Sequence, residues 1–128
     1  MANPTGTFPR VAFDWLKHEN DPQLYREEAV ILSGSGNLLT GSVLGKITAS
    51  GKYKLYAPAA VDGSQTAVAI LLSNADATSS DAKCVIVTGK CEIAPTELTW
   101  HASVDDNTKK ATGLGQLKLK DIFARNIV

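Results

Sequence analysis

GSVLGKITASGKY, residues 41–53, sets three glycines among alternating apolar residues and ends in a short polar turn before Tyr53. Such alternation is typical of a half-buried strand, and a glycine at a turn or bulge admits a positive φ or a close backbone approach. The segment therefore predicts a strand followed by a hairpin, with Gly51 in the hairpin turn. The side chains that would fill the interior are Val43, Leu44 and Ile47.

Cofactor-binding interpretations of the same region fail on their spacing. A Walker-type phosphate loop needs Ser or Thr directly after its lysine and a helix behind it, whereas Lys46 is followed by Ile47 and further β-formers. A dinucleotide-binding fingerprint needs three spaced glycines before a helix, and the glycine-rich loop at 33–36 has no helix pattern after it. Lys52 lies at a hairpin tip, as a lipoyl-type attachment lysine would, but a solvated turn lysine is the simpler interpretation. No cofactor is predicted.

Further short apolar runs follow along the chain, separated by glycine-rich or polar loops. This spacing predicts a mainly β fold, a small β-clip or barrel-like domain. A capping pattern at 103–106 begins a short C-terminal helical segment over 108–124, which Gly113 and Gly115 are predicted to split. Asn126 is predicted to cap that segment before a final strand. The other predicted strands are 29–32, 38–48, 53–56, 67–72, 84–88 and 91–93.

The first 24 residues differ in character from the rest. Prolines and a glycine interrupt every candidate element, which predicts an extended or flexible N-terminal arm, residues 1–24, ahead of a β domain at 25–128. Yet the arm carries Phe8, Phe13 and Trp15, and a disordered tail should be poor in aromatic residues. We therefore expect the arm to dock on its own domain, a sister subunit or a separate partner, or to supply an N-terminal strand of the same core.

The length, charge balance and cysteine content of the chain limit the classes of function that it can have. The chain has 128 residues, which fits one domain. Its 13 basic residues balance its 13 acidic ones, which argues against direct nucleic-acid binding, because that needs surplus positive charge. No apolar run is long enough for a membrane span, and the first ten residues contain no apolar signal region. Cys84 and Cys91 are expected to be free thiols, and without a nearby histidine pair they predict no zinc site.

No set of residues predicts catalysis. His18 lies beside acidic residues in the arm and His101 follows Trp100 in a connector, but no serine or cysteine motif supplies either with a nucleophile. Asp62 precedes Gly63 and is explained as a turn residue. We therefore predict no catalytic residue, no metal-binding residue and no enzyme activity.

Several motifs occur together from residue 25 onward. YREEAVIL at 25–32 is followed by GSVLGKIT, the SGKY hairpin and the run AVDGSQTAVAILL at 60–72. KCVIVTGKCEI at 83–93, the tripeptide LTW and a C-terminal helix extend the pattern. On these motifs, residues 25–128 resemble the head decoration protein family typified by protein D of phage lambda.

The resemblance implies a small β-clip protein that forms a homotrimer and binds the major capsid protein of a tailed phage. Members are made in the host cytoplasm and sit on the outer capsid surface of the virion, at local three-fold positions of the expanded head. There they brace the shell against the pressure of packaged DNA, without a catalytic site or cofactor.

Family arms tend to become ordered against the capsid, which implies a set of capsid-contact residues here. The alternative is a small β-clip or barrel binding or enzymatic module unrelated to capsids. A tail or display adhesin is disfavoured, because the loops at 33–37 and 73–82 hold no aromatic residue. The expected capsid-contact residues are Phe8, Phe13, Trp15, Tyr25 and Arg26.

Overall fold

The fold comprises ten strands, a 3-10 helix and one α-helix within the part of the chain that the computed structural model describes, residues 15–19 and 25–125. The 3-10 helix is Pro95–Glu97, and helix α1 is Asn107–Lys118. The strands are β1 (Leu16–Glu19), β2 (Arg26–Ile31), β3 (Gly36–Leu38), β4 (Val43–Lys46), β5 (Tyr53–Leu55), β6 (Ala67–Leu71), β7 (Ala75–Ala77), β8 (Ala82–Val87), β9 (Cys91–Ile93) and β10 (Ile122–Ala124).

These strands form a closed barrel in the order β2-β5-β4-β6-β8, a three-stranded sheet in the order β1-β9-β10, and a β3–β7 pair. The mainly β, barrel-like class predicted from the sequence is confirmed. Both faces of β4 and β6 are covered, since consecutive residues belong to two different buried clusters: Val43 and Leu44 in β4, and Ile70 and Leu71 in β6. Burial on both faces explains why several of these strands are continuous apolar runs in the sequence.

The segment 41–53 forms the strand and hairpin turn predicted for it. β4 pairs antiparallel with β5, and Gly51 in the turn has a φ of +75°. Gly45 leaves no room for a side chain, because a Cβ there would lie 2.5 Å from backbone atoms of Ser64. This close approach brings the loop before β6 directly against β4.

The three-stranded sheet collects distant parts of the chain. β1 runs antiparallel to β9, with Leu16 opposite Ile93, and β10 runs parallel to β9, with Ile122 opposite Cys91. The inward side chains of this sheet share one buried cluster with helix α1 and one face of the barrel strands. That cluster includes Trp15, Leu16, Ile93, Leu117, Ile122, Val43, Ile70 and Val87.

Helix α1 is continuous, so the prediction that Gly113 and Gly115 split the helical segment is wrong. Asp106 caps the helix by accepting a hydrogen bond from the backbone N–H of Lys109 at 2.8 Å. A Cβ at Gly113 would lie 2.8 Å from Trp100 Cζ3, whereas a Cβ at Gly115 would meet nothing within 4 Å. The glycine at 113 therefore lets the helix approach Trp100 rather than breaking it.

Other elements also differ from the sequence prediction. The helix ends at Lys118 rather than near 124, because Asp121, with a φ of +61°, turns the chain into β10. Residues 75–77, predicted as part of a polar loop, form β7, whose alanines are buried against β3. Residues 16–19, which the sequence analysis assigns to the arm, form β1. For these residues the alternative of an N-terminal strand of the same core is therefore correct. The predictions for Asn126 and a final strand lie outside the described residues.

Candidate functional site

The three-stranded sheet is where the undescribed parts of the chain join the fold. Residues 1–14 precede β1, residues 20–24 follow it, and residues 126–128 come shortly after β10. β1 and β10 are the outer strands of this sheet, so each has one side without a partner strand in the described ranges. An edge strand presents unpaired main-chain N–H and C=O groups, which can template a further strand. The sheet is therefore the candidate docking region.

The outer face of this sheet carries a row of three side chains. His18 and Phe123 each lie opposite Glu92 in the strand register. His18 is exposed, while Glu92 and Phe123 are half-buried and line a shallow cleft together with Lys90. Arg125 Nε lies 3.4 Å from Glu92 Oε2 at the end of the row. A ring, a carboxylate and an imidazole on an open face make an amphipathic surface suited to contact with protein.

Two non-glycine residues with left-handed backbone immediately precede the neighbouring strands β9 and β10. Lys90 has a φ of +49° and Asp121 a φ of +61°. Lys90 Nζ lies 3.0 Å from Asp121 Oδ2, and this hydrogen bond raises the pKa of Lys90. The Cys91 N–H donates to the Asp121 carbonyl at 3.1 Å. Such conformations are costly and cluster at functional sites, and here the paired contacts hold both strands in parallel register.

Trp15 lies in the core of its own chain, not on the surface. Its side chain is 0% exposed, and its Nε1–H donates to the buried Thr40 Oγ1 at 2.9 Å. A Cβ at Gly41 would lie 2.9 Å from Trp15 Cδ1, so the backbone of the 41–53 segment packs directly on the indole. The expectation that Trp15 contacts a capsid stays a prediction, and within the described fold this ring and its indole N–H are engaged inside the core.

Tyr25 and Arg26 lie beside the sheet, at the start of β2. Arg26 makes a bidentate ion pair with Glu19 of β1, with Nε 2.8 Å from Oε2 and Nη2 also bonded to Oε1. This hydrogen bonding raises the pKa of Arg26. The Tyr25 carbonyl accepts a hydrogen bond from the Thr88 N–H at 2.9 Å, and the Tyr25 ring lies over Gly89. The structure thus brings both residues to the root of the arm, while Phe8 and Phe13 lie outside the described residues.

Elsewhere the described residues assemble no reactive group. Cys84 and Cys91 are free and buried, and burial raises the pKa of the Cys91 thiol to about 12, which keeps it protonated and unreactive near neutral pH. His101 Nδ1 accepts a hydrogen bond from the Ser103 N–H at 3.0 Å, a local turn contact. Within residues 15–19 and 25–125, no group of three or more His, Cys, Asp or Glu could hold a metal ion. No helix in those ranges is both long enough and apolar enough to cross a membrane.

Sequence reasoning did not find Glu19, Glu92 or Phe123 as parts of this region. Glu19 is held by a residue seven positions away across an undescribed segment, and Phe123 was placed on a helix. The available signal for a helix end before Phe123 was Asp121, because aspartate tolerates the left-handed conformation better than most residues. No local pattern indicated the parallel pairing of β10 with β9.

Comparison with protein-family models matches residues 5–122 to the family described as Bacteriophage lambda head decoration protein D. The match spans strands β1 to β9, helix α1 and most of the undescribed N-terminal residues. No curated protein matches the sequence significantly.

Proposed function

Because the chain belongs to the Bacteriophage lambda head decoration protein D family, which makes it a phage capsid decoration protein, we propose how it decorates. It binds as a homotrimer to the outer surface of the expanded head, at local three-fold positions. There it stabilises the shell against the pressure of packaged DNA. The major capsid protein of a tailed phage is its partner, and no catalytic step takes part.

One observation supports this proposal: the N-terminal residues lead in sequence into β1, a strand that has one side without a partner in the part of the chain that the structure describes. An extended segment that continues such a strand can add to a sheet edge of a partner through main-chain hydrogen bonds, with alternate side chains supplying specificity. Phe8 and Phe13, the aromatic residues upstream of Trp15, supply these side-chain contacts. Trp15 anchors the arm from the inside instead.

Three arms on one trimer account for the strength of attachment. A single added strand makes modest contacts, but linked sites bind together, and avidity exceeds single-site affinity by roughly 10²–10⁴. A protein that binds only the expanded lattice also shifts the equilibrium towards that lattice by mass action. Mechanical support of the shell therefore follows from repeated attachment of the protein, without any catalytic step.

The test replaces both arm rings, Phe8→Ala with Phe13→Ala, and measures cosedimentation with undecorated expanded heads. Binding should weaken by roughly tenfold or more, because buried aromatic anchors dominate interface energies. Light scattering should still find trimers. Val61→Ala is the matched control, since Val61 is 95% exposed on the loop between β5 and β6, and it should bind as the parent does. Compact precursor heads should bind neither protein.

Arg26 and Tyr25 complete the proposed contact set at the root of the arm. Arg26→Ala and Glu19→Ala remove opposite halves of one ion pair. If Arg26 also touches the capsid, Arg26→Ala weakens head binding more than Glu19→Ala does. Equal effects would show that Arg26 acts by fixing β1. A protein that stays monomeric and ignores expanded heads would contradict the proposed function as a whole.

A further inference from the structure

A single Asp–Gly step, Asp62–Gly63, lies in the loop between β5 and β6, and the sequence contains no Asn–Gly step. Aspartate before glycine is prone to a rearrangement, because no side chain hinders the backbone nitrogen of glycine. That nitrogen attacks the side-chain carbon Cγ of the aspartic acid, a C–N bond forms, and the carboxyl hydroxyl leaves as water with the proton of the nitrogen. Hydrolysis of the resulting succinimide adds one water and gives aspartate or isoaspartate, so the rearrangement needs only solvent.

The fold requires glycine at the second position of this step. Gly63 has a φ of +112°, and a Cβ there would lie 2.5 Å from both the Lys46 carbonyl oxygen and Thr48 Oγ1. The Asp62 carbonyl accepts a hydrogen bond from the Thr48 N–H at 2.9 Å, which holds the loop against the end of β4. The chain therefore keeps a chemically labile pair of residues at a place where its backbone is closely packed.

The carboxylate of Asp62 is engaged through both of its oxygens. Oδ1 accepts hydrogen bonds from the Ser64 N–H at 3.0 Å and the Ser64 hydroxyl at 2.6 Å, and Oδ2 lies 2.8 Å from Lys54 Nζ. The hydrogen bond from Lys54, followed by those from Ser64, lowers the pKa of Asp62. Ring closure needs the protonated carboxyl group, because an ionised carboxylate offers no leaving group. These contacts thus deplete the reactive form of the side chain.

The attacking nitrogen is engaged as well. The Gly63 N–H donates a hydrogen bond to Gln65 Oε1 at 2.8 Å. Attack requires this nitrogen to lose its proton and to turn towards Cγ of Asp62, and both movements break that bond. Ser64, the residue that binds the carboxylate, is 0% exposed, so the loop cannot turn without opening.

We propose that the Asp62–Gly63 step is a modification site that the folded loop keeps closed and that converts to isoaspartate when the loop opens. Lys54, Ser64 and Gln65 hold it closed through their hydrogen bonds to its carboxylate and its amide. The site belongs to the chain itself and exists whether or not the protein binds a head.

Conversion at this site prevents the chain from regaining its fold. Isoaspartate carries the main chain through its side chain and so lengthens the backbone by one carbon atom. The tight contacts of Gly63 with Lys46 and Thr48 leave no space for that atom. Time spent with the loop open therefore reduces the fraction of chains that can refold.

The first test measures isoaspartate at residue 62 in the full chain, by enzymatic isoaspartate methylation and peptide mass spectrometry. The modification should accumulate with time in urea and stay at background in the folded protein at the same pH and temperature. The peptide that contains Asp81–Ala82 is the internal reference and should change little in either sample. Equal rates at Asp62 in the folded and unfolded protein would overturn the proposal.

A matched pair of variants tests the closure in the folded state. Lys54→Met removes the ammonium beside Asp62, and Lys52→Met removes a similarly exposed ammonium that lies 2.7 Å from Asp81 Oδ2. Lys54→Met should raise the rate at Asp62 by roughly tenfold, since loss of an adjacent opposite charge raises a carboxyl pKa by about one unit or more. Lys52→Met should leave that rate unchanged. Equal rates in the two folded variants would overturn the role of Lys54.

Gln65→Ala frees the Gly63 N–H without changing any charge, and it keeps the proposal testable if Lys54→Met does not fold. It should also raise the rate at Asp62, whereas Thr66→Ala, a change at the next, exposed residue, should not. Refolding supplies an independent readout. After incubation in urea, the chains that fail to refold should be enriched in isoaspartate at residue 62. Full refolding of converted chains would contradict the packing argument.

Discussion

The barrel and the three-stranded sheet differ in how their strand edges are treated. Each of the five barrel strands pairs on both sides, whereas in the sheet only β9 does so, and β1 and β10 each have one side without a partner strand among residues 15–19 and 25–125. A closed barrel removes the edges at which a further strand can add. The fold thus combines a closed barrel, to which no further strand can add, with a three-stranded sheet whose outer strands β1 and β10 can accept another strand.

The two regions also depend on different contacts. The barrel strands come from the continuous stretch between Arg26 and Val87, while the sheet joins residues 16–19, 91–93 and 122–124. The position of β1 therefore rests on a few long-range contacts, of which Trp15 is the most buried. Changing single side chains in each region shows whether the two are stable independently.

Trp15→Ala should have the largest effect on the free energy of unfolding. It removes a side chain that is 0% exposed and leaves Thr40 Oγ1 without its indole partner. Truncation of a buried large aromatic residue costs about 3–5 kcal/mol. Urea unfolding at fixed protein concentration measures the loss, and hydrogen exchange should show amide protection lost in β1 while β4 and β8 retain theirs.

Trp15→Phe is the matched control for this variant. It keeps most of the ring and removes the hydrogen bond, so the cost should fall to about 1–2 kcal/mol. If Trp15→Ala loses amide protection equally in β1 and β4, then the sheet and the barrel unfold as one unit. That result would contradict the idea that the two regions are stable independently.

Gly45→Ala should produce the next largest loss, and in the opposite region. The added Cβ would lie 2.5 Å from the Cα and carbonyl oxygen of Ser64, so backbone must move in the barrel. Overpacking of this kind costs about 2–3 kcal/mol. Protection should fall in β4 and β5 more than in β1. Gly36→Ala is the control, because a Cβ there has nothing within 4 Å and the change tests only backbone strain at a φ of +91°. Parent-like stability of Gly45→Ala would contradict the close approach.

Alanine substitutions at the two glycines of helix α1 should change the free energy of unfolding in opposite directions. Gly115→Ala meets open space and should stabilise the protein by about 0.5–1 kcal/mol through helix propensity. Gly113→Ala would place a Cβ 2.8 Å from Trp100 and 3.0 Å from Tyr56, and should destabilise it by about 1–3 kcal/mol. Thermal unfolding of the two variants side by side measures both changes. Stabilisation by both would show that the helix does not press on Trp100.

Much of the barrel could be predicted from sequence, because its strands are apolar runs bounded by glycine and polar turns. β7 was missed because its sequence, Ala-Asp-Ala, has no strand-forming residue, and only pairing with β3 buries its alanines. The sequence predicts a helix break at Gly113 because it shows the low helix propensity of glycine but not the Trp100 ring, which leaves no room for a side chain there.

The candidate site was less predictable, because its geometry depends on contacts between distant segments. The aromatic arm indicated that residues near the N-terminus dock on something, but composition could not separate Trp15, which enters the core, from its neighbours. Arg26 was identified through the family resemblance, and its pairing with Glu19 follows from the placement of β1 beside β2. Parallel pairing of β10 with β9 has no local sequence signal at all.

The Arg26–Glu19 ion pair should give the smallest effect, and it tests a charged link between β1 of the sheet and β2 of the barrel. A double-mutant cycle of Arg26→Ala and Glu19→Ala should give a coupling of about 0.2–1 kcal/mol, because the Arg26 side chain is 39% exposed and solvent screens the pair. The bidentate geometry favours the upper part of that range. The coupling should shrink in 1 M salt, where the screening length falls to about 3 Å. If it is zero at low salt, then β1 is held to the barrel by the burial of Trp15 and its apolar neighbours. The three-stranded sheet would in that case keep its position through packing alone, and a change of ionic strength would leave β1 in place.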